Sequence, residues 1–216
     1  MDMPVNDFAT IPCAGGHIRR ALCAANRRET PFRHWLLRNV LPADLRARVL
    51  GLPFDPVDLP DNGGRRETHN ASRVFFASDP GCSEVYHGGF GAQSPCAVLT
   101  EAFQDEATVA LLADMTGTNL DGSFLRIEYC LDTDGFWLEA HTDIGAKLFT
   151  LVLYLSSHPD APGWGTDLMD ADGTVVGRTS GAFNTALMFT PSPESWHGFS
   201  PRPIRGVRRC LIVNYV

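Results

Sequence analysis

Hydrophobic residues in the first half of the chain recur mainly at helical spacing. The segment AVLTEAFQDEATVALLADMTG, residues 97–117, has apolar positions three and four residues apart, acidic residues early and Gly117 at its end, which together predict a helix. A second helix is predicted in PADLRARVLGLPF, residues 42–54, where a proline lies near the start and Gly-Leu-Pro marks the end. Residues 17–28 predict a third, short helix.

After residue 122 the pattern changes to short apolar segments that are separated by turn signals such as Pro162-Gly163 and Asp172-Gly173. Seven strands are predicted here, over residues 123–131, 135–141, 147–156, 165–170, 173–179, 184–190 and 208–216. Short strands at regular spacing with no helices between them indicate a β-sandwich or barrel. Two earlier segments, FRHWLLRNVLP and RVFFA, also predict strands.

The sequence therefore predicts an α+β fold in a single domain, residues 1–216, with helices first and an all-β core last. Residues 1–30 form a lead-in, residues 31–122 supply helices, loops and outer strands, and residues 123–216 form the β core. Residues 55–96 are rich in Gly, Pro, Asp and Ser and are predicted to be loops. These loops either form a functional lid or are plain surface variation.

Composition restricts the classes of function. The chain has 44% hydrophobic and 20% charged residues, as in an ordinary globular protein, and its net charge of −7 disfavours nucleic acid or anionic lipid as a partner. No apolar run reaches the roughly 18 residues that a membrane-spanning helix needs. None of the 6 cysteines forms a Cys-x-x-Cys pair, and no signal peptide is evident, so we expect a cytoplasmic protein with reduced cysteines.

Candidate metal ligands occur in the segment EAHTDIG, which follows a predicted strand. His141 and Asp143 are two residues apart, so on an extended chain their side chains lie on one face and can bind one ion. His197, at the end of the apolar run TALMF several strands later, is the candidate third ligand. Two histidines and one carboxylate suit non-haem Fe(II) oxygen chemistry, whereas a structural zinc site would need a fourth ligand. The alternative is two strand-end residues and a core histidine.

Arginines cluster after His197, at positions 202, 205, 208 and 209, and the last two begin the apolar strand RRCLIVNYV. An arginine that enters an apolar strand needs a carboxylate partner, because a lone buried charge is costly. Arginine is also suited to binding a carboxylate through two hydrogen bonds. Where the protein provides no acid, a ligand carboxylate can take that place.

These motifs resemble the Fe(II)- and 2-oxoglutarate-dependent dioxygenases, in particular the prolyl-4-hydroxylase-like branch. The resemblance rests on His-Thr-Asp at 141–143, on His197 and on Gly-Val-Arg at 206–208, and it covers roughly residues 123–216, with a weaker part in HWLLRNVLP. It implies a double-stranded β-helix (jelly-roll or cupin-like) core with the N-terminal helices packed on it. It also implies that His141, Asp143 and His197 bind Fe(II).

The resemblance further implies that Arg208 binds the distal carboxylate of 2-oxoglutarate, assisted by Tyr154 in FTLVLYLS. Arg208 lies 11 residues after His197, at the long end of the spacing that the family pattern leads us to expect, and Arg209 is the alternative. Arg208 is preferred because it shares a strand face with Cys210, where many members have a serine. The rival interpretation is a cupin-like protein that binds a metal or small ligand without turnover. The carboxylate site of Arg208 and Tyr154 separates the two interpretations, because a protein that only binds a metal has no use for it.

The implied reaction is hydroxylation of a substrate C–H by O₂, with 2-oxoglutarate converted to succinate and CO₂. A carboxylate at Asp143 favours hydroxylation, because halogenating members have a small residue there. The substrate is either a peptide side chain or a free small molecule. The sequence does not decide whether the protein is a homo-oligomer. Further residues are candidates for the pocket wall or for a substrate lid, each with packing or surface exposure as its alternative: Arg126, Tyr129, Glu139, Trp196, His69, Asn70, Arg73 and His87. His158 is expected to be exposed.

Overall fold

Four α-helices precede most of the strands in the computed structural model, which describes residues 14–56, 73–77, 94–145 and 147–216. These are α1 (Ala14–Cys23), α2 (Ala43–Leu50), α3 (Pro95–Gln104) and α4 (Glu106–Thr116). A short 3₁₀ helix, Ala161–Trp164, lies between two strands of the second half. None of the described helices combines the length and the apolar character needed to cross a membrane.

The helix that we predicted over residues 97–117 is two helices, because Asp105 interrupts it. The N–H of Asp105 donates to the carbonyl of Glu101 at the end of α3, and its ψ of 126° leaves the helical range. Its carboxylate then accepts from the N–H of Thr108 at 3.1 Å and caps the start of α4. Gly117 ends α4 in the left-handed conformation with φ of 72°, as the sequence predicted.

Eleven strands are present in the described segments: β1 (Asn26–Arg28), β2 (His34–Arg38), β3 (Arg73–Ala77), β4 (Leu125–Asp132), β5 (Leu138–His141), β6 (Phe149–Tyr154), β7 (Asp167–Met169), β8 (Val175–Arg178), β9 (Thr185–Phe189), β10 (His197–Phe199) and β11 (Arg208–Tyr215). They form a seven-stranded sheet in the order β1-β2-β9-β6-β11-β4-β3 and a four-stranded sheet in the order β5-β10-β7-β8. The pairings within both sheets are antiparallel.

All nine strands that the sequence predicted correspond to strands in the structure, so the prediction of an α+β fold is confirmed. Two details were wrong. The helix predicted over residues 17–28 ends at Cys23, and residues 26–28 form β1. His197 does not end the apolar run TALMF but begins a strand of its own, β10.

The seven-stranded sheet has two different faces. Its outer face carries Ile127, Leu151, Leu211 and Val213, which pack in one buried cluster with apolar residues of all four helices. Alternate residues point inward, where they meet Leu168 of the four-stranded sheet in a second buried cluster that includes Cys130, Val152, Tyr154, Leu187, Phe189 and Cys210. The predicted packing of helices on a β core is therefore confirmed, and the two sheets face each other across the inner cluster.

Candidate metal centre

The three predicted metal ligands lie together at the edge of the four-stranded sheet. His141 ends β5 and His197 begins β10, and the two residues are direct partners in this antiparallel pair. Their ring centroids are 4.2 Å apart. Asp143 follows β5 by two residues, and its carboxylate oxygens lie 3.7 Å from Nε2 of each histidine. One donor atom from each residue lies within 4.8 Å of the others, so one ion can contact all three.

The two imidazoles are oriented by the same local hydrogen bond. Nδ1 of His141 lies 2.9 Å from the carbonyl oxygen of Glu139, and Nδ1 of His197 lies 2.9 Å from that of Ser195. Because a carbonyl only accepts, each Nδ1 carries the hydrogen and each Nε2 of the neutral ring offers a lone pair to the site. Burial, together with the neighbouring imidazole of His141, lowers the pKa of His197 to about 4, so this ring is neutral near pH 7.

Asp143 is ionised and tightly held. Its carboxylate accepts a hydrogen bond from the hydroxyl of Thr150 at 3.1 Å and pairs with the ammonium of Lys147 at 3.0 Å. Burial raises the pKa of Asp143, but the charge of Lys147, its hydrogen bond and the two neighbouring histidines together outweigh burial and lower that pKa to about 2. Two imidazoles and one carboxylate are a donor set that fits a divalent iron.

A cavity extends from these ligands between the two sheets. Both sheets supply its walls, and the lining residues are Phe136, Leu138, His141, Asp143, Lys147, Thr150, Val152, Thr166, His197, Gly198, Phe199, Arg208 and Ile212. Gly198 is required by the close approach of β10 to β5, because a Cβ atom there would lie 2.6 Å from the carbonyl oxygen of Leu138. The metal ligands and Arg208 therefore belong to one cavity.

Arg208 and Arg209 point to opposite faces of β11, as strand alternation predicted. Arg208 is 7% exposed and lines the cavity, whereas Arg209 lies on the outer face beside the hydroxyl of Tyr129. The sequence did not predict the partner of Arg208. Its Nη1 forms an ion pair with Asp132, the residue directly opposite on β4, and its Nε donates to the carbonyl of Trp164 at 2.8 Å.

Further arginines surround this end of the cavity. The ring of Phe199 lies 4.6 Å from the guanidinium carbon of Arg208 and 3.6 Å from that of Arg202. Arg202 and Arg178 both pair with the buried Asp167, at 2.7 and 2.5 Å. The network consists of three arginines and two aspartates: Arg178, Arg202, Arg208, Asp132 and Asp167. Among the described residues this network therefore has one positive charge in excess.

Tyr154 does not line the cavity itself. Its hydroxyl donates to the hydroxyl of Thr166 at 2.8 Å, lies 2.8 Å from that of Thr179 and accepts from the N–H of Thr166 at 3.1 Å. Thr166 is the residue of this group that reaches the cavity. The predicted contact of Tyr154 with a ligand carboxylate stays a prediction, and Thr166 is the nearer hydroxyl.

The other pocket candidates lie elsewhere in the described structure. Glu139 is exposed, because the β5–β10 register shifts between Leu138 and His141 and turns Leu138 toward the cavity instead. The remaining candidates on this part of the chain, Arg126, Tyr129 and Trp196, do not line it either. His158 is exposed, as predicted, and stacks on Trp164 with 5.2 Å between the ring centroids. His69, Asn70, His87 and the side chain of Arg73 lie outside the described residues.

Several residues of the site were missed by sequence reasoning: Asp132, Lys147, Thr150, Thr166 and Phe199. Two of them left a signal in the sequence. Lys147 follows Asp143 by four residues, and Thr150 has the strand parity of Tyr154. Asp132 left no such signal, because its place opposite Arg208 depends on the register of two strands that are far apart in sequence.

Comparisons with known proteins show what fold this is. No protein-family model matches the chain, and no curated protein matches its sequence. A prolyl-4-hydroxylase from Pseudomonas putida shares the fold with a TM-score of 0.53 and 17% identity, over 93% of this chain and 97% of that one. A prolyl hydroxylase from Trichoplax adhaerens, in complex with a peptide of the hypoxia inducible factor oxygen degradation domain, has a TM-score of 0.53 and 13% identity, over 94% and 87% of the two chains.

A prolyl 4-hydroxylase structure from Phytophthora capsici also matches with a TM-score of 0.53, at 11% identity, over 84% of this chain and 58% of that one. At such low identities these matches establish a common fold and nothing further. The predicted resemblance to prolyl-4-hydroxylases is therefore confirmed at the level of the fold.

Proposed function

We propose that this protein is a non-haem Fe(II) oxygenase that uses 2-oxoglutarate and O₂ to hydroxylate a C–H bond of a small molecule or a peptide side chain. The observation that carries the proposal is the placement of two imidazoles, one carboxylate and one buried arginine around a single cavity. The shared fold with prolyl hydroxylases supports it. We also infer that the two facing sheets form a double-stranded β-helix.

In this proposal His141, Asp143 and His197 hold the iron, with both imidazoles fixed by backbone carbonyls and the carboxylate fixed by Thr150. Fixed ligands keep the geometry of the site unchanged when a substrate enters, which is what a preorganised catalytic site needs. The bound iron supplies the oxidising chemistry, in which O₂ and 2-oxoglutarate are consumed and succinate and CO₂ are released with the hydroxylated product.

Arg208 binds the distal carboxylate of 2-oxoglutarate at the inner end of the cavity, with the Thr166 hydroxyl nearby and Tyr154 behind it. Two of its nitrogens are occupied, Nη1 by Asp132 and Nε by Trp164, and Nη2 makes no hydrogen bond to the described residues. Among the described residues the surrounding network has three arginines for two aspartates, and a single ligand carboxylate neutralises the difference. Phe136, Leu138 and Phe199 exclude water from the space between Arg208 and the metal ligands.

One observation favours a second candidate, a cupin-like protein that binds a metal or small ligand without turnover. Arg208 already has a protein carboxylate as its partner, so it does not depend on a ligand for charge compensation. Under this alternative the ion pairs of the three arginines and two aspartates only stabilise the packing of the strands. Three further properties remain predictions: that the substrate is a small molecule or a peptide, that the protein forms a homo-oligomer, and that it is cytoplasmic.

A binding experiment tests the proposal and separates it from the alternative. The protein is loaded with Mn(II), which replaces Fe(II) without oxygen chemistry, and is titrated calorimetrically with 2-oxoglutarate, succinate and 2-oxobutyrate. Succinate lacks the keto acid that chelates a metal, and 2-oxobutyrate lacks the distal carboxylate. The proposal predicts that 2-oxoglutarate binds at least about tenfold more tightly than succinate or 2-oxobutyrate, because its keto acid and its distal carboxylate both contribute to the affinity. Equal and weak binding of all three would support the non-catalytic alternative.

A further inference from the structure

We propose that Lys147 binds a carboxylate of the organic substrate, so that the substrate is an organic acid. The inference rests on the proposed function, because it assumes that Asp143 ligates a divalent metal and that 2-oxoglutarate fills the inner end of the cavity. The inference concerns the outer end of the cavity, which 2-oxoglutarate leaves free, and gives the chemical class of substrate that binds there.

Lys147 is built into the cavity wall beside the metal ligands. Its backbone N–H donates to the carbonyl of Asp143 at 3.2 Å, which places the two side chains on the same side of the turn. Its side chain is 13% exposed, and its ammonium lies 3.0 Å from Oδ1 and 3.1 Å from Oδ2 of Asp143. Among the described residues no other acid pairs with this ammonium, so its charge is directed into the site.

The orientation of Asp143 does not require Lys147. A carboxylate that ligates a metal through one oxygen needs a hydrogen-bond donor for the other, and the hydroxyl of Thr150 lies 3.1 Å from Oδ2. Thr150 is itself buried on β6, and its hydroxyl also lies 3.1 Å from Oδ1 of Asn214, so its one hydrogen serves one of these two acceptors at a time. The three metal ligands are His141, Asp143 and His197, so Lys147 is an additional cation beside them.

The charges around the metal leave Lys147 unpaired once the site is loaded. The single negative charge of Asp143 and the chelating carboxylate of 2-oxoglutarate together neutralise a divalent cation. The distal carboxylate of 2-oxoglutarate pairs with Arg208 at the inner end of the cavity. The ammonium of Lys147 then shares the Asp143 carboxylate with the metal, and a sheltered cation without an anion of its own is unfavourable. A substrate carboxylate brings the one negative charge that is missing, whereas a doubly charged phosphate brings more than the site can neutralise.

The location of Lys147 also fits a substrate that enters from outside. Arg208 begins β11, whereas Thr150, beside Asp143, is the register partner of Asn214 near the other end of that strand. Two apolar residues near Lys147 in the sequence are exposed: Ile144, three residues before it, is 51% exposed, and Leu148, directly after it, is 39% exposed. An organic acid with an apolar body can thus contact both the ammonium and the apolar rim, while 2-oxoglutarate occupies the opposite end.

The test uses the full chain saturated with Mn(II) and 2-oxoglutarate, and two probes of equal shape, 4-methylpentanoate and its uncharged amide, 4-methylpentanamide. Paramagnetic broadening of the probe proton signals by Mn(II) reports binding near the metal without any turnover. Manganese and 2-oxoglutarate affinities are measured in the same samples by calorimetry. The variants are Lys147→Met, which keeps the length of the side chain but removes the charge, and Lys147→Arg, which keeps the charge.

We expect wild type and Lys147→Arg to bind the carboxylate about tenfold or more tightly than the amide, as one charge-assisted hydrogen bond allows. Lys147→Met should lose that preference and bind Mn(II) as tightly as wild type or more tightly, because a competing cation is gone. Loss of Mn(II) affinity in Lys147→Met with no change in probe preference would overturn the proposal and make Lys147 a residue that positions Asp143. Equal binding of both probes to a wild type that does bind Mn(II) and 2-oxoglutarate would overturn it too. Failure of the wild type to bind Mn(II) or 2-oxoglutarate would instead contradict the proposed function.

Discussion

His141 and His197 face each other directly across the β5–β10 pair, with ring centroids 4.2 Å apart and each Nδ1 hydrogen-bonded to the carbonyl of the residue two positions earlier. The pairing of two short strands thus brings together ligands from distant parts of the sequence. Each histidine repeats the same local geometry, so neither ring depends on a metal for its orientation. This arrangement leads to predictions for metal binding, for the co-substrate site and for stability.

Replacement of His141 by alanine should abolish Mn(II) binding and leave the fold intact. His141 is at the end of a strand and partly exposed, so its removal costs little packing. Isothermal titration with Mn(II) measures the affinity, and circular dichroism checks the fold. His158→Ala is the control, because this histidine is exposed and does not line the cavity. Undiminished Mn(II) binding by His141→Ala would show that the metal site has been assigned wrongly.

Metal binding should also stabilise the protein. A ligand that binds only the folded state at about 100 times its dissociation constant adds about 2.7 kcal/mol to the free energy of unfolding. Mn(II) should therefore raise the melting temperature of the wild type, and a chelator should reverse the increase. The melting temperature of Asp143→Asn should not respond to Mn(II), since the amide is a much weaker ligand. An equal response of both proteins would place the bound metal elsewhere.

Replacement of Arg208 by lysine should weaken 2-oxoglutarate binding by about tenfold or more and leave 2-oxobutyrate binding unchanged. Lysine keeps a cation beside Asp132 but loses the forked donor geometry that binds a carboxylate. The matched control is Arg209→Lys, on the opposite face of the same strand. Calorimetric titration of the Mn(II)-loaded variants gives the two affinities. If the effect appears in Arg209→Lys instead, the co-substrate is bound on a different face of β11.

The hydroxyl that touches 2-oxoglutarate should be that of Thr166 rather than that of Tyr154. Thr166 lines the cavity, whereas the Tyr154 hydroxyl is bonded to Thr166 and Thr179 behind it. Thr166→Val should therefore reduce 2-oxoglutarate affinity more than Tyr154→Phe does. Tyr154→Phe should instead lower the free energy of unfolding by about 1–3 kcal/mol, because buried polar groups lose a partner. The reverse order of affinities would restore the direct contact of Tyr154 that the family resemblance implies.

The buried Asp167 should make the protein less stable in acid. Burial raises the pKa of Asp167, but hydrogen bonds from Arg202, from the Ser200 N–H and from Arg178 together leave that pKa below its usual value. Because the pKa in the folded state is below that in the unfolded state, the contribution is complete above about pH 4 and is lost as the pH falls through the folded value. Urea unfolding at a series of pH values measures the loss.

Asp167→Asn is the comparison for this acid dependence. At neutral pH it should lower the free energy of unfolding by about 3–5 kcal/mol, because Arg202 keeps a buried charge without its partner. The difference between wild type and variant should shrink at acid pH, where the wild-type carboxylate is protonated as well. A difference that is the same at neutral and acid pH would show that the ion pairs of Asp167 do not contribute.

The sequence predicted the local features of this fold and left out those that depend on strand register. Short apolar segments between turn signals identified the long strands, and the spacing of His141 and Asp143 indicated a shared face. The three residues of β10 are too few to show any period, so the strand that presents His197 was missed. The partner of Arg208 was missed for a related reason, since Asp132 lies opposite it only through the pairing of β4 with β11.

The central claim is that Fe(II) and 2-oxoglutarate bind together at His141, Asp143 and His197. An anaerobic titration of the metal-free protein with Fe(II), and then with 2-oxoglutarate, tests it most directly through the weak visible charge-transfer band of an iron chelated by a keto acid. We predict that the band develops in the wild type and is absent from His141→Ala. Fe(II) binding to the wild type without any band on addition of 2-oxoglutarate would contradict the account and favour a metal-binding protein without oxygenase activity.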